Sequence, residues 1–265
     1  MALSPLLAGY DSVMLDLDGC VWVGEVCTPG TPEAIAELRT AGKRVVFLTN
    51  DGRRSPEDYV RKLWALGVQA SLEEVVTAGA AIQHFLAGRP RANVYVIGSP
   101  AIFRHVSDAG HRIVNRTSTA TSADAVVVSG HDEFSFRELR DATQAVLAGA
   151  ELVAADRDRT FPMGDGLWPG SGAIVAALEY ATERTALIVG KPRPEIFRAA
   201  LDRLGDGRTL VVGDRIDIDL GGAAAAGLDG AIVLTGVASG EQARAAEDPA
   251  PVAVADDLHT LVVRP

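Results

Sequence analysis

The stretch VMLDLDG, residues 13–19, is the part of this chain that decides its fold. Its apolar start predicts a buried β-strand, and that strand ends in two carboxylates, Asp16 and Asp18, one residue apart. Side chains alternate along a strand, so the two acids point the same way if the extended geometry persists. At roughly 4 Å and an effective dielectric constant of about 20, two such charges repel by about 4 kcal/mol. This strand end therefore needs a cation, a proton or a catalytic role, although an isolated motif of this kind is more often a solvated strand end.

Other apolar runs also finish in polar groups. They are residues 45–48 before Thr49-Asn50, residues 187–190 before Lys191, and residues 210–213 before Asp214, with Asp217 and Asp219 close behind. Each run has the length and β-branched content of a central parallel strand. Ligands of open α/β sheets bind outside the carboxyl ends of the strands, so we expect one sheet edge to gather these groups.

This ordered set resembles the motifs of the haloacid dehalogenase-like phosphatases. The order Asp-x-Asp-Gly, Thr-Asn, Gly-Lys-Pro and Gly-Asp-Arg-x-Asp-x-Asp matches at Asp16/Asp18, Thr49/Asn50, Lys191 and Asp214/Asp219. The resemblance covers nearly the whole chain. The long interval between Asn50 and Lys191 is similar to the branch with a large α/β cap, which includes the nitrophenylphosphatase, phosphoglycolate, glycerol-phosphate and pyridoxal-phosphate phosphatases.

Strand and helix signals alternate along the chain, which predicts an α/β fold with a doubly wound, Rossmann-like parallel sheet. We expect a discontinuous catalytic core at 1–80 and 185–265 and an inserted α/β cap domain at 81–184. A helix is expected from about Leu72 to Leu86, and the turn-rich stretch from Asp156 to Ser171 is expected to be a loop.

The resemblance implies a role for each motif residue. Asp16 would be the nucleophile that forms an aspartyl-phosphate, and Asp18 the general acid and base. Thr49 and Asn50 would bind the phosphate, and Lys191 would neutralise its charge.

A hard divalent cation, Mg²⁺, would be held by Asp16, the main-chain carbonyl of Asp18, and Asp214. These oxygen donors suit Mg²⁺, whereas the histidines show no spacing that would favour zinc. Asp219 would support these ligands without touching the ion, and Asp217 is expected to be peripheral.

Some positions bear on the substrate. In the cap, Arg157, Asp158 and Trp168 are candidates to contact the substrate, together with Phe161, although the two aromatic side chains are equally suited to pack the cap interior. The sequence departs from the usual pattern of the branch at Asp51-Gly52 and at Asp156, and these departures leave the substrate open.

The expected function is that of a Mg²⁺-dependent phosphoric monoester hydrolase acting on a small phosphorylated metabolite. A phosphotransferase or mutase using the same aspartyl-phosphate, and a phospho-aspartate switch, remain as alternatives.

The net charge of −10 argues against a nucleic-acid partner, and no apolar run approaches membrane-spanning length. With two cysteines, Cys20 and Cys27, we expect a reduced cytoplasmic protein in which Cys20 is a free thiol. A homodimer is possible by analogy with relatives that pair through the cap.

Overall fold

The computed structural model describes residues 3–52, 54–163 and 166–263. The strands are β1 (Ser12–Asp16), β2 (Trp22–Val23), β3 (Val26–Cys27), β4 (Arg44–Thr49), β5 (Val75–Thr77), β6 (Asn93–Ile97), β7 (Arg112–Ile113), β8 (Ala125–Val128), β9 (Glu151–Ala154), β10 (Thr160–Met163), β11 (Gly166–Pro169), β12 (Leu187–Ile188), β13 (Thr209–Gly213), β14 (Asp229–Val233) and β15 (Ala253–Ala255). The helices are α1 (Pro5–Ala8), α2 (Thr31–Thr40), α3 (Pro56–Ala65), α4 (Ala78–Ala87), α5 (Pro100–Asp108), α6 (Phe136–Leu147), α7 (Ser171–Thr182), α8 (Pro194–Leu204), α9 (Gly221–Ala225), α10 (Gly240–Ala245) and α11 (Leu258–Val262). None of the helices in these ranges combines the length and the apolar character that a membrane crossing requires.

The core sheet has the strand order β15-β14-β13-β1-β4-β5, and β1 is parallel to both of its neighbours. The chain first extends the sheet from β1 towards β5 and later extends it the other way from β13 to β15. Crossovers between parallel strands are right-handed as a rule, so extension of the sheet in opposite directions implies helices on both faces. This strand order confirms the doubly wound α/β fold. Every residue of β1 and β13 is buried, which explains their continuous apolar runs. The order reverses between β1 and β13, so the ligand crevice is expected there.

A second sheet is inserted in the chain, with the order β12-β9-β8-β6-β7 and parallel neighbours throughout. Apolar residues of β6, β8 and β9 form one cluster with those of α6 and α7, so this part has its own hydrophobic core. This confirms the inserted α/β cap domain. The chain divides into two compact units, one of residues 1–49, 56–76 and 191–265 and one of residues 50–55 and 77–190. The domain boundaries inferred from the sequence, with a catalytic core at 1–80 and 185–265 and a cap at 81–184, stay a prediction.

The run at residues 187–190 does not form a central strand of the core, as its composition suggested. It gives the short strand β12, which pairs with β9 at the edge of the cap sheet. An apolar run of this length suits either sheet, because its composition does not specify the neighbouring strand. Lys191 therefore follows an edge strand of the cap.

The helix expected from about Leu72 was wrong in its first half. A short 3₁₀ turn at Leu72–Glu74 is followed by β5, and α4 begins only at Ala78. The β-branched residues of β5 favour a strand, and the Thr77 hydroxyl then caps α4 by accepting from Ala80 N over 3.3 Å. Likewise, the loop expected from Asp156 contains the antiparallel hairpin of β10 and β11.

Candidate active site

Asp16 and Lys191 form a buried ion pair at the carboxyl end of β1. Asp16 is the last residue of β1 and is 8% exposed, while Lys191 is 3% exposed. The Lys191 ammonium donates to Asp16 Oδ1 and, over 2.7 Å, to Asp219 Oδ1. Burial opposes the charged form of the lysine, but the two carboxylates outweigh burial and raise the pKa of Lys191 above its ordinary value. The lysine therefore stays charged and joins two acids that are distant in the sequence.

Asp16, Asp214 and Asp219 form a cluster of buried carboxylates. One oxygen of each lies within 4.8 Å of the others. Burial raises the pKa of Asp16 well above its usual value, and burial together with the charge of Asp219 raises the pKa of Asp214 to about 6. When ionised, three carboxylates and one ammonium leave two negative charges uncompensated, which one divalent cation would balance. The all-oxygen donor set and this charge deficit fit Mg²⁺.

A tight turn after β1 orients Asp18. Trp22 Nε1 donates to Asp18 Oδ1 over 2.8 Å, and Gly19 N donates to Trp22 O over 2.7 Å. The Trp22 ring is buried and stacks on Tyr59, with ring centroids 6.3 Å apart. Asp18 is exposed, in contrast to Asp16. Trp22 therefore packs in the core and holds the second carboxylate of the motif in a position that solvent can reach.

Glycine at position 19 is required both by the backbone and by the site. Gly19 has φ +91°, a conformation that favours glycine. A Cβ at this position would lie 2.5 Å from Asp214 Oδ2, so a side chain would displace that carboxylate. The glycine that ends the Asp-x-Asp-Gly motif thus allows β1 and β13 to bring their acids together.

The loop after β14 completes the surroundings of Asp214, and sequence reasoning missed it. Val237 N donates to Asp214 Oδ2 over 2.6 Å, and Ala238 N donates to the main-chain oxygen of Asp214 over 2.9 Å. Gly236 approaches so closely that a Cβ there would lie 1.9 Å from Asp214 Oδ2. The sequence did carry a signal for this loop, because Thr235-Gly236 follow an apolar run like those that precede Asp16 and Asp214. The loops after parallel strands meet at one sheet edge, so this loop could have been expected near those acids.

Thr49 and Asn50 fall in different compact units. Thr49 is buried at the end of β4, one residue beyond Leu48, which pairs in register with Asp16. This position brings Thr49 to the edge of the sheet that holds the carboxylate cluster. Asn50 is buried in the second unit, where its Oδ1 would lie 2.7 Å from a Cβ placed on Gly190. The phosphate contacts expected of both residues stay predictions.

The cap candidates lie around the β10–β11 hairpin. Arg157 forms an ion pair with Glu179 on α7, and its side chain is 48% exposed. Trp168 lies on β11, in register with Phe161 on β10, and is partly buried. The side chain of Phe161 lies outside the described side chains. Substrate contacts by Arg157, Asp158 and Trp168 stay predictions.

Asp156 closes the base of this hairpin. Its Oδ1 accepts from Ser171 Oγ at the start of α7 and from Asp158 N over 2.9 Å. Burial, followed by the charge of Asp158, raises the pKa of Asp156 to about 7. The acid that departs from the usual pattern of the branch is therefore an internal support of the cap, partly protonated near neutral pH.

Both cysteines are free thiols. Cys20 is fully buried, and burial together with the charge of Asp16 raises the pKa of its thiol well above the ordinary value. Cys20 therefore stays protonated and is a weak nucleophile, in line with the expectation from sequence.

Comparison with known proteins identifies close relatives. Residues 13–112 match the family of haloacid dehalogenase-like hydrolases, and residues 188–261 match a second family described as HAD-hydrolase-like. D-glycerol 3-phosphate phosphatase from Mycobacterium tuberculosis is 40% identical over 256 residues, covering 95% of this chain and 71% of the relative. Sugar-phosphatase AraL from Bacillus subtilis is 33% identical over 248 residues, covering 89% of this chain and 90% of the relative.

The similarity extends to the whole fold. The crystal structure of glycerol phosphate phosphatase Rv1692 from Mycobacterium tuberculosis in complex with magnesium superposes with a TM-score of 0.89 at 38% identity. The superposition covers 98% of this chain and 78% of that one, so it includes both sheets. This chain belongs to the haloacid dehalogenase-like hydrolases, in the branch of phosphatases that carry an inserted α/β cap.

Proposed function

We propose that this chain is a Mg²⁺-dependent phosphatase that hydrolyses a small phosphorylated metabolite through an aspartyl-phosphate on Asp16. Buried Asp16, held by Lys191 beside the carboxylates of Asp214 and Asp219, carries the proposal. Phosphorylated polyols and sugars are the first candidate substrates, because the relatives named above act on glycerol phosphate and sugar phosphates.

The chemistry divides between Asp16 and Asp18. A carboxylate oxygen of Asp16 forms a bond to phosphorus while the bond from phosphorus to the leaving oxygen breaks, and Asp18 gives that oxygen a proton. Water then attacks the phosphorus of the aspartyl-phosphate, Asp18 takes its proton, and Asp16 is regenerated with release of phosphate. The hydrogen bond from Trp22 fixes the Asp18 carboxylate in both steps.

The remaining site residues supply charge and orientation. Asp16, the main-chain carbonyl of Asp18, and Asp214 would hold Mg²⁺, which when bound neutralises charge on the phosphoryl oxygens. Lys191 adds a positive charge at Asp16 beside that of the metal ion. Asp219 holds the Lys191 ammonium in place by accepting its hydrogen bond. Thr49 and Asn50 would donate to the phosphate.

A screen of phosphorylated metabolites tests the proposal, with kcat/KM measured in Mg²⁺ and in EDTA. We expect hydrolysis that requires Mg²⁺ and is lost in Asp16→Asn. The matched control is Asp217→Asn, because Asp217 has a side chain that is 70% exposed and pairs with Arg215. Turnover by Asp16→Asn at the wild-type rate, with the control also unchanged, would exclude Asp16 as the nucleophile.

Transfer to water is distinguished from transfer to another acceptor by the products. A hydrolase releases one phosphate for each substrate consumed, and added sugars or polyols do not change that ratio. A phosphotransferase would give phosphorylated acceptor at the expense of free phosphate, and a switch protein would retain the aspartyl-phosphate without steady release. The homodimer and the cytoplasmic location expected from the sequence stay predictions.

A further inference from the structure

A groove of about 1110 Å³ lies in the core unit, away from the carboxylate cluster. It is formed by the start of β4, the ends of α2, α3 and α8, and the segment between α3 and β5. Strand β4 begins in the groove at Arg44 and ends at Thr49 on the catalytic edge, a span of roughly 16 Å for a strand of this length. The groove is therefore separate from the site described above.

The groove concentrates positive charge in an acidic protein. The chain has a net charge of −10. The charged residues that line the groove are Arg39, Lys43, Arg44 and Arg203 against Glu73 and Glu74. Arg39 Nη2 binds Glu74 over 2.8 Å. Among the lining residues, this leaves three cations, Lys43, Arg44 and Arg203, and one carboxylate, Glu73. Such a local excess of cations favours an anionic ligand.

Main-chain carbonyl groups hold these cations in place. Arg44 donates to the carbonyl oxygens of Leu204 and Asp206, and Arg203 Nη1 donates to that of Val75 over 2.7 Å. Lys43 donates to Tyr10 O. Carbonyl oxygens orient these groups without cancelling their charge, so less side-chain entropy is lost when an anion binds. Arginine forks in fixed positions suit phosphate in particular.

The groove also presents an aromatic face. Trp64 is 65% exposed, an unusual position for so large an apolar side chain. Its Nε1 donates to Ala70 O over 2.7 Å, which fixes the indole ring at the rim. Val45 and Val68 add apolar surface to the lining. A flat aromatic ligand could stack on the indole while its charged part lies among the guanidinium groups.

We propose that this groove binds a nucleoside diphosphate, with the base stacked on Trp64 and the phosphates held by Lys43, Arg44 and Arg203. The groove volume of about 1110 Å³ lies slightly above the range of about 300–1,000 Å³ that small-molecule sites occupy, so it leaves room for a ligand of this size. The ligand carries both parts that the lining selects, a planar ring and a polyanion. Its site is remote from Asp16 and does not depend on the proposed hydrolysis.

Titration calorimetry of the full chain tests this site with ADP, pyrophosphate and adenosine as separate probes. EDTA is present throughout, so that Mg²⁺-dependent turnover does not consume ADP. Wild type is expected to bind one ADP per chain, more tightly than either pyrophosphate or adenosine. Trp64→Leu should weaken ADP binding about tenfold, the effect of losing one stacked base, and leave pyrophosphate binding unchanged. Trp64→Tyr, which keeps a ring, should restore most of the loss.

Charge variants separate the site from general attraction of anions. Lys43→Gln should weaken both ADP and pyrophosphate, whereas Arg140→Gln, an exposed arginine on α6 paired with Asp141, should change neither. Thermal unfolding and hydrolysis of p-nitrophenyl phosphate check that the Trp64 variants are folded. Equal affinity for ADP and pyrophosphate in wild type, or unchanged ADP binding in Trp64→Leu, would overturn the proposal.

Discussion

Replacement of Lys191 by methionine removes the ammonium that bridges Asp16 and Asp219. Both ion pairs are lost together, so the cluster of three carboxylates within 4.8 Å of one another loses the ammonium that contacts two of them. Removing one partner of a buried ion pair costs about 3–5 kcal/mol, because the remaining charge is left uncompensated. We therefore expect the free energy of unfolding of Lys191→Met in EDTA at neutral pH to fall by about that amount. The kcat/KM should fall by about 10²–10³, since a preorganised positive charge is lost from the phosphoryl site.

The loss of stability should depend on pH. The pKa of Lys191 is raised, so its contribution is complete below the ordinary lysine value of 10.5 and does not change between acid and neutral pH. The pKa of Asp16 is also raised, so its contribution is present below 3.8 and is lost as the pH rises through the higher folded value. Loss of the ammonium raises the pKa of Asp16 further. The free energy of unfolding of the variant should therefore fall further below that of wild type as the pH rises from acid to neutral.

Urea unfolding at several pH values, with and without Mg²⁺, measures these effects. Mg²⁺ should stabilise Lys191→Met more than wild type, because the variant site carries one more uncompensated negative charge. Lys43→Met is the control, since Lys43 is partly exposed and bonds to a main-chain carbonyl, and its loss should cost about 1 kcal/mol. A stability loss for Lys191→Met no larger than that of the control, or one that does not vary with pH, would refute the charge argument.

Further predictions concern the second carboxylate, the loop after β14 and the base of the cap hairpin. Asp18→Asn should lower kcat/KM by about 10²–10⁴ with an alkyl phosphate but less with p-nitrophenyl phosphate, whose leaving group needs no proton. Because kcat/KM covers only the steps up to departure of the leaving group, the later reaction with water does not enter, and equal losses of kcat/KM with both substrates would contradict proton donation. Gly236→Ala should raise the Mg²⁺ concentration for half-maximal activity by about tenfold, since its Cβ would lie 1.9 Å from Asp214 Oδ2; an unchanged Mg²⁺ titration would show that this contact is unimportant. Asp156→Asn should be more stable than wild type above pH 7, because the raised pKa of about 7 means that ionised Asp156 destabilises the cap. In acid, where Asp156 is protonated, the difference in stability should disappear. Urea unfolding at acid and alkaline pH measures this difference, and a difference that does not change with pH would contradict the raised pKa of Asp156.

The core of the site could be predicted from sequence because its residues end apolar runs. Asp16, Thr49 and Asp214 each follow a run that can only be a buried strand in an alternating α/β chain, and parallel strands bring their carboxyl ends to one edge. Lys191 was placed correctly beside Asp16 although its strand was assigned to the wrong sheet. Motif order therefore predicted which residues lie together more reliably than strand composition predicted the neighbours of each strand.

The parts that sequence did not predict depend on contacts between distant residues. Nothing in the spacing indicates that Trp22 donates to Asp18 or that Val237 N donates to Asp214. Asp156 illustrates the same limit, since an acid in a polar stretch gives no sign of burial, yet the Ser171 hydroxyl and surrounding packing bury it. Such contacts follow from tertiary packing, which local pattern and propensity do not specify.

Chemical trapping of the phosphorylated residue would identify the nucleophile. Borohydride reduces an aspartyl-phosphate to homoserine, so protein quenched during turnover of p-nitrophenyl phosphate with Mg²⁺ can be reduced, digested and mapped by mass spectrometry. We expect homoserine at position 16 in wild type, and none when substrate is omitted or in Asp16→Asn. Homoserine at Asp18 or Asp214, or steady hydrolysis with no residue modified, would contradict a mechanism in which Asp16 receives the phosphoryl group.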